Sequence, residues 1–536
     1  MSLRPSLLRS MLSFSGGTFV SRILGLVREM VIAYAFGANA TTDAFWVAFR
    51  IPNFLRRLFA EGSFSVAFVP VLTEFKEKRS HAELKELIAR TSGTLGAILF
   101  VVTALGMLGA GWITSAFAPG SIDEPVKFAL TTDLLRVMFP FLLFVSLTAL
   151  AGGVLNSFHK FMLPALTPVI MNLCMIGAAL WMAPRLHTPI MSLGWAILAA
   201  GILQLLVQLP TLRSLDLLAL PRWGWRHAGV RRVLTLMIPT LFGSSVAQIN
   251  LLLDTVIASF LITGSQSWLA QTDRLLEFPL GIFGVALGTV ILPSLSRHHV
   301  TTDRDGFSKA LDWGLRVSLL ISVPAMLALV LLAQPILATL FQHGKYTAHD
   351  VQMAALSLSA LSFGLPAFAL VKVVAPAFYA RQDTKTPVRA GVVAMCANMV
   401  MNVVFVGALF YFWHRPEDLG NGWLDSIARV PGLHMGLALA SALASYLNLA
   451  QLWFALRRDG VYVSQPGWAL HLLRLGTACV AMIGVLLLGL WFWHDWSEWT
   501  VGTRAVRLGV LVAAGGTTFI SALFACGFRL RDLRAQ

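Results

Sequence analysis

The stretch Asp43-Ala44-Phe45-Trp46-Val47-Ala48-Phe49-Arg50-Ile51-Pro52-Asn53-Phe54-Leu55-Arg56-Arg57-Leu58-Phe59-Ala60-Glu61-Gly62 joins an apolar run of bilayer-spanning length to a set of charges. At about 100° per residue, Asp43, Arg50 and Arg57 fall on one stripe of a helix, with Asn53 and Glu61 close beside it. The segment therefore reads as a membrane helix with one continuous polar face. An ionisable group near the bilayer centre costs a few kcal/mol on insertion scales, so such a face points to function.

The sequence on either side supports the membrane reading. Of 536 residues, 57% are hydrophobic and only 12% charged, and the mean hydropathy is +0.73. That leaves too little polar surface to cover a soluble globule of this size. Apolar stretches of about 20 residues recur along the chain, about fourteen in all. They begin near Leu12, Thr42, Ala89, Thr131, Met162, Ile190, Val230, Trp268, Ala310, Val351, Val388, Pro431, Ala469 and Gly502. The first is too long for a signal-peptide core and lacks a small-residue cleavage site, so it reads as a retained helix.

A net charge of +15 could suggest nucleic acid, but the basic residues lie where membrane topology places them. With a cytoplasmic N-terminus, the inside loops and flanks carry about 24 Lys and Arg and the outside ones about 6. An even number of spans then returns the C-terminus to the cytoplasm. Cys174, Cys396, Cys479 and Cys526 lie within predicted spans without metal-ligand spacing, and read as packing residues. Gly344-Lys345 is no P-loop, because Thr339 stands where its first glycine is needed.

The chain also repeats itself. Pro52 and Pro70 recur as Pro279 and Pro293, and Phe158-His159-Lys160 with Thr167-Pro168 recurs as Phe378-Tyr379-Ala380-Arg381 with Thr386-Pro387. The displacements run from about 220 to about 227. Spans one to six and seven to twelve thus form two related bundles, and spans thirteen and fourteen are an appendage. Six is even, so the repeat is parallel. The expected architecture is an all-α polytopic membrane protein with two pseudo-repeated six-helix lobes around a central cavity, at 1–220 and 221–460, and two C-terminal helices at 461–536.

Charges concentrate in three spans. The first carries Arg22, Arg28 and Glu29, the second those already quoted, and the eighth Asp273, Arg274 and Glu277. Arg22 and Glu29 share a face, while Arg28 aligns with Ser21 and Gly25. Arg50, Arg57 and Glu61 could as well pair off between helices or snorkel. For Arg22, Arg28, Arg56 and Arg274 the local arginine excess favours an anion, and guanidinium forks suit phosphate. Asp254, Asn398 and Asn402 offer oxygen ligands for Na⁺, or equally hydrogen bonds between helices.

Ser21-Arg22-Ile23-Leu24-Gly25-Leu26-Val27-Arg28-Glu29, Asp43 through Gly62, Asp273-Arg274-Leu275-Leu276-Glu277-Phe278-Pro279 and Phe378 through Pro387 resemble the signatures of the MurJ (MviN) lipid II flippase family, within the MATE-like exporter superfamily. The resemblance runs nearly end to end. It implies two six-helix lobes around a cavity, a C-terminal helix pair forming a groove for a polyprenyl tail, and a multi-pass protein of the bacterial inner membrane. The implied activity is non-enzymatic transfer of undecaprenyl-diphosphate-linked peptidoglycan precursor from the cytoplasmic to the periplasmic leaflet.

The cationic cavity residues of that family match Arg22, Arg28, Arg56 and Arg274, and the acidic partner matches Asp43; with Glu29 and Asn53 these make up the expected substrate-binding set. A sodium site described in some members maps to Asp254, Asn398 and Asn402, with no other cofactor implied. Besides lipid II, the partners expected are membrane lipids and the cell-wall synthesis machinery, and not nucleic acid. The readings left open are a flippase for another polyprenyl-linked glycan, a drug or cation antiporter, for which an acidic cavity would be expected, and a non-transporting cell-wall scaffold. An enzyme on a lipid-linked substrate is disfavoured by the lack of a clustered acid, base or metal site.

Overall fold

The structure is a computed structural model that describes residues 5–58, 63–301, 303–414, 420 and 422–529, and their side chains apart from 5–19, 63, 65–66, 239–247 and 282–290. Every regular element among the described residues is a helix. The chain divides into two compact units, Met1–Gln266 and Ser267–Gln536.

The first unit holds α1 (Pro5–Phe36), α2 (Ala40–Arg56), α3 (Ser63–Lys78), α4 (His81–Leu108), α5 (Ala110–Phe117), α6 (Pro125–Met138), α7 (Phe141–Ser157), α8 (Met162–Gly177), α9 (Met191–Ser214) and α10 (Ala228–Ala258). Its core joins Phe64, Phe68 and Leu72 of α3, Leu84, Leu87 and Leu95 of α4, Leu142 and Val154 of α7, and Val233 of α10. α10, which opens the second half of the sequence repeat, thus packs on α3 in the first unit.

The chain continues as α11 (Ser265–Val300), α12 (Arg304–Leu331), α13 (Ala333–Phe341), α14 (Ala348–Ser362), α15 (Leu365–Ala380), α16 (Lys385–Trp413), α17 (Trp423–Ile427), α18 (His434–Arg458), α19 (Trp468–Phe492) and α20 (Val501–Ala525). In the second unit Ile291 and Leu295 of α11 meet Leu311 and Leu315 of α12, Val373 and Phe378 of α15, and Leu452 and Leu456 of α18. A smaller core joins Leu320 of α12 to Leu475 and Ala478 of α19 and Leu523 of α20.

The repeat is visible in the helix breaks. A long helix followed by a short one, α4 and α5, recurs as α12 and α13; a helix interrupted near its middle, α6 and α7, recurs as α14 and α15. The breaks have local causes. Pro140 has no N–H to continue α6, and Pro366 fills the first turn of α15 after Gly364. Ser80 caps α4, and 223 positions later Asp303 caps α12. His159 and Gln382, also 223 apart, close α7 and α15 with the same left-handed turn, φ 60° in each. Behind them Lys160 N–H donates to Leu155 O at 2.9 Å and Asp383 N–H to Phe378 O at 3.0 Å. Structural equivalence therefore runs at 223, and the motif match near 220 lies one helical turn out of register.

Among the described residues ten helices are long and apolar enough to cross a membrane, counting α6–α7 and α14–α15 as one each. They coincide with ten of the fourteen expected spans. The other four spans, from Leu12, Thr42, Val230 and Trp268, correspond to α1, α2–α3, α10 and α11, each of which lies partly outside the described residues and side chains.

Two polar anchors fasten the C-terminal pair to α12 and α13. Asp312 of α12 accepts from Tyr462 OH (2.6 Å), Trp468 Nε1 (2.7 Å) and Gln465 N (3.3 Å), while its second oxygen accepts from Arg316 Nε at 2.7 Å. Buried Arg504 of α20 donates to Ala338 O (2.9 Å) and Gln342 O (3.3 Å) at the end of α13, and to Ser497 O (2.7 Å). These are carbonyls that a helix end or a loop leaves without a partner.

Candidate functional site

In the first unit α1 packs on α8. Arg28, 6% exposed, donates Nη1 to Asn172 Oδ1 at 3.0 Å, and its Nη2 pairs with Glu29, itself 3% exposed. Asn172 Nδ2 donates to Ser21 O at 3.1 Å, locking the amide between two turns of α1. Arg28 Nε and Glu29 Oε2 are buried without a hydrogen-bond partner among the described residues. Burial raises the value of every such contact, because the surroundings screen charge weakly. Arg22 is half-buried one and a half turns earlier on α1.

Asn172 was missed from sequence. Its signal was there, as the lone amide in the apolar run Met162–Gly177.

On α2 the polar stripe read from sequence proves to be a seam with α10 and the loop that follows it. Asp43, 2% exposed, accepts from Gly264 N at 2.7 Å; Arg50 Nη1 donates to Thr255 Oγ1 at 2.5 Å; Arg57 Nη1 donates to Gln248 Oε1 at 3.3 Å. Asp43 thereby holds Gly264 at φ 102°, in a conformation that favours glycine. Asn53 and Arg56 sit off that seam, with Asn53 Oδ1 accepting from Arg56 Nε (3.1 Å) and Nη2 (2.8 Å). Glu61 lies outside the described residues.

Arg274 belongs to α11 in the second unit, where Nη1 pairs with Glu277 Oε2 at 3.0 Å. Of the oxygen donors considered for sodium, Asp254 is in the first unit, 8% exposed, with Asn250 Nδ2 at 3.5 Å from its Oδ2. Asn398 and Asn402 are fully buried on α16, in the stripe Ala390, Ala394, Asn398, Asn402, Val406 that packs on α18.

A buried guanidinium held by one carboxylate and one amide, on a helix of spanning length, suits an anion that arrives within the bilayer. Residues 32–413 match the family described as lipid II flippase MurJ. A Vibrio cholerae serotype O1 protein, "Probable lipid II flippase MurJ", is 45% identical over 100% of this chain and 99% of its own length. The chain belongs to the lipid II flippase MurJ family.

A solved structure described as "Lipid II flippase MurJ, inward closed conformation" is similar at a TM-score of 0.74 and 25% identity, covering 95% of this chain and 99% of that one. An inward-facing multidrug resistance MATE family transporter of the MOP superfamily shares the fold at a TM-score of 0.63 and 13% identity, over 84% of this chain and 98% of its own. The expected family, helical class and superfamily fold all hold.

Proposed function

We propose that this MurJ-family chain carries lipid II from the cytoplasmic to the periplasmic leaflet of the bacterial inner membrane by alternating access, making and breaking no covalent bond. The observation that carries the reading is the buried Arg28, whose Nε is left unspent while Asn172 and Glu29 fix the rest of the guanidinium. A diphosphate oxygen is the kind of acceptor that donor suits. Arg22, Arg56 and Arg274 are assigned to the same diphosphate, Glu29 and Asn53 to orienting the arginines, and Asp43 to holding the Gly264 loop. Both termini are taken as cytoplasmic, the α19–α20 pair as the lane for the polyprenyl tail, and the cell-wall synthesis machinery as the partner that uses the product.

The membrane potential can drive the step, since each negative charge moving outward gains about 2.3 kcal/mol per 100 mV. Asp254 of the first unit and Asn398 and Asn402 of the second each offer a hard oxygen donor of the kind Na⁺ takes, and a coupling role for Na⁺ is assigned to them as a proposal. When bound, the ion would supply positive charge and a coupling gradient. Unchanged flipping and unchanged Na⁺ dependence in Asp254→Ala would remove that role.

The deciding experiment is complementation of a strain depleted of its own lipid II flippase, with lipid II exposure at the outer face assayed directly. Wild type should rescue, and Arg28→Ala and Arg274→Ala, at matched expression, should not. Failure of well-expressed wild type would indicate another polyprenyl-linked cargo or a scaffold. Full activity of both variants would remove the diphosphate assignment.

A further inference from the structure

Between α9 and α10 the segment Leu218-Ala219-Leu220-Pro221-Arg222-Trp223-Gly224-Trp225-Arg226-His227 takes no part in the site above. It is not a loose loop. Arg222 N–H donates to Ala89 O at 2.8 Å and Gly224 N–H to Thr94 Oγ1 at 3.0 Å, both on α4. The fit needs glycine on each side: a Cβ on Gly93 would meet the Arg222 backbone, and one on Gly224 would meet the Arg90 side chain. With its backbone pinned, the loop turns its side chains outward. Trp223 and Trp225 stack with ring planes 11° apart and remain 62% and 52% exposed, beside Leu220 at 82%.

The attachment point sets the depth. α4 carries Glu83, Lys85, Glu86 and Arg90 in its first turns and no ionisable residue from Thr91 to Leu108. The two hydrogen bonds, at Ala89 and Thr94, straddle the place where charge ends and the apolar stretch begins. That is headgroup level, where amphipathic rings settle. The local acids are already engaged: Glu86 by Arg90, Asp216 by Lys85, and Glu74 by Arg232. Exposed Arg222, Arg226 and Arg231 make no ion pair among the described residues.

We infer that the α9–α10 loop is a binding site for anionic phospholipid headgroups, in which Arg222, Arg226 and Arg231 take the phosphate and the Trp223–Trp225 stack seats the glycerol and upper acyl region. Three unpaired cations and a rigid aromatic pair at one depth match an anionic lipid in both charge and polarity. A zwitterionic lipid offers the rings the same contact but leaves the arginines no net charge to neutralise. The loop would fasten the first unit to the leaflet without touching cargo.

The test is native mass spectrometry of the full chain released from micelles containing phosphatidylglycerol or phosphatidylcholine. The wild type is compared with Arg222→Gln/Arg226→Gln/Arg231→Gln, Trp223→Phe/Trp225→Phe and Arg28→Ala, all checked for helicity by circular dichroism. Wild type should retain phosphatidylglycerol over phosphatidylcholine, and the triple variant should lose that preference by roughly ten- to a hundredfold, as each basic residue at an anionic surface contributes a factor of about five. Brominated phosphatidylglycerol should quench wild-type tryptophan emission more than that of the phenylalanine variant.

Equal retention of the two lipids would reduce the loop to an ordinary aromatic belt and overturn the proposal, as would undiminished phosphatidylglycerol in the triple variant. Displacement by millimolar inorganic phosphate would overturn it in favour of a free-anion site. Loss in Arg28→Ala alone would overturn it by moving the lipid to the transport site. Neither lipid result depends on flipping, so failure here and failure of the transport reading are separable.

Discussion

Neutralising Arg28 has two consequences that a single substitution cannot separate. Arg28 and Glu29 are 6% and 3% exposed, and each is the other's ionic partner. Arg28→Gln leaves a carboxylate in a weakly screening environment with its counter-charge gone, which costs about 3–5 kcal/mol for a buried pair. Its transport defect would therefore mix lost cargo contacts with lost protein. Arg28→Gln/Glu29→Gln removes both charges, and the replacement amides can bond Asn172 and each other. Stability should return to within about 1 kcal/mol of wild type, the net worth of one neutral hydrogen bond. Transport should not return. A charge-assisted bond to phosphate contributes about 1.5–3 kcal/mol, so outward movement of lipid II should stay roughly ten- to a hundredfold below wild type. The assays are the thermal midpoint in detergent and lipid II exposure in proteoliposomes. Wild-type flipping by the double variant would refute the diphosphate contact; a single variant as stable as wild type would refute mutual compensation.

Asp312→Asn should raise hydrogen exchange across residues 459–467 by about ten- to a hundredfold, because an acceptor of four donors loses its charge; exchange unchanged within threefold would show that Asp312 does not hold the loop. Asp43→Ala should speed exchange at Gly264, and Asp43→Asn, which keeps an acceptor oxygen, should do so less; equal protection in all three proteins would rule out the clamp. Tyr462 should ionise late in an alkaline titration followed by ultraviolet difference absorbance. Burial first, and then its hydrogen bond to the Asp312 carboxylate, push its phenol above the usual range. Because the folded value is raised, the contribution is fully present below the ordinary tyrosine pKa and is lost as pH rises through the folded one. Tyr462→Phe should remove that late component, and loss of an early component instead would contradict the assignment.

The helical class, the repeat and the charged spans could all be read from the sequence because lipid imposes length and polarity on every spanning residue. The α2 stripe was legible as a face, but not for its partner: Thr255, Gln248 and Gly264 lie some 190 to 220 positions away, and only folding shows that α10 and its loop receive it. Asp312 and Arg504 went unread for a related reason. Each lies in a helix that is apolar overall; Arg504 binds backbone carbonyls, and Asp312, besides Arg316 one turn on, binds the Tyr462 hydroxyl, the Trp468 N–H and a backbone amide far along the chain. Nothing in local spacing distinguishes such an anchor from a snorkelling side chain. The three-residue error in the repeat has the same root, since helical side-chain patterns nearly recur each turn, whereas caps and left-handed closures do not.

Most of the candidate site lies on four of the expected spans. α1 bears Arg22, Arg28 and Glu29, α2 bears Asp43, Asn53 and Arg56, α10 bears Asp254, and α11 bears Arg274. The repeat also pairs them. α1 ends at Phe36 and α10 at Ala258, 222 positions on, and α2 begins at Ala40 and α11 at Ser265, 225 positions on. Each half thus gathers most of these candidate residues in its first two helices. A charge in a spanning helix is costly, so each one kept there is a candidate for function. On the proposed reading, the arginines among them, Arg22, Arg28, Arg56 and Arg274, are what suit this chain to an anion.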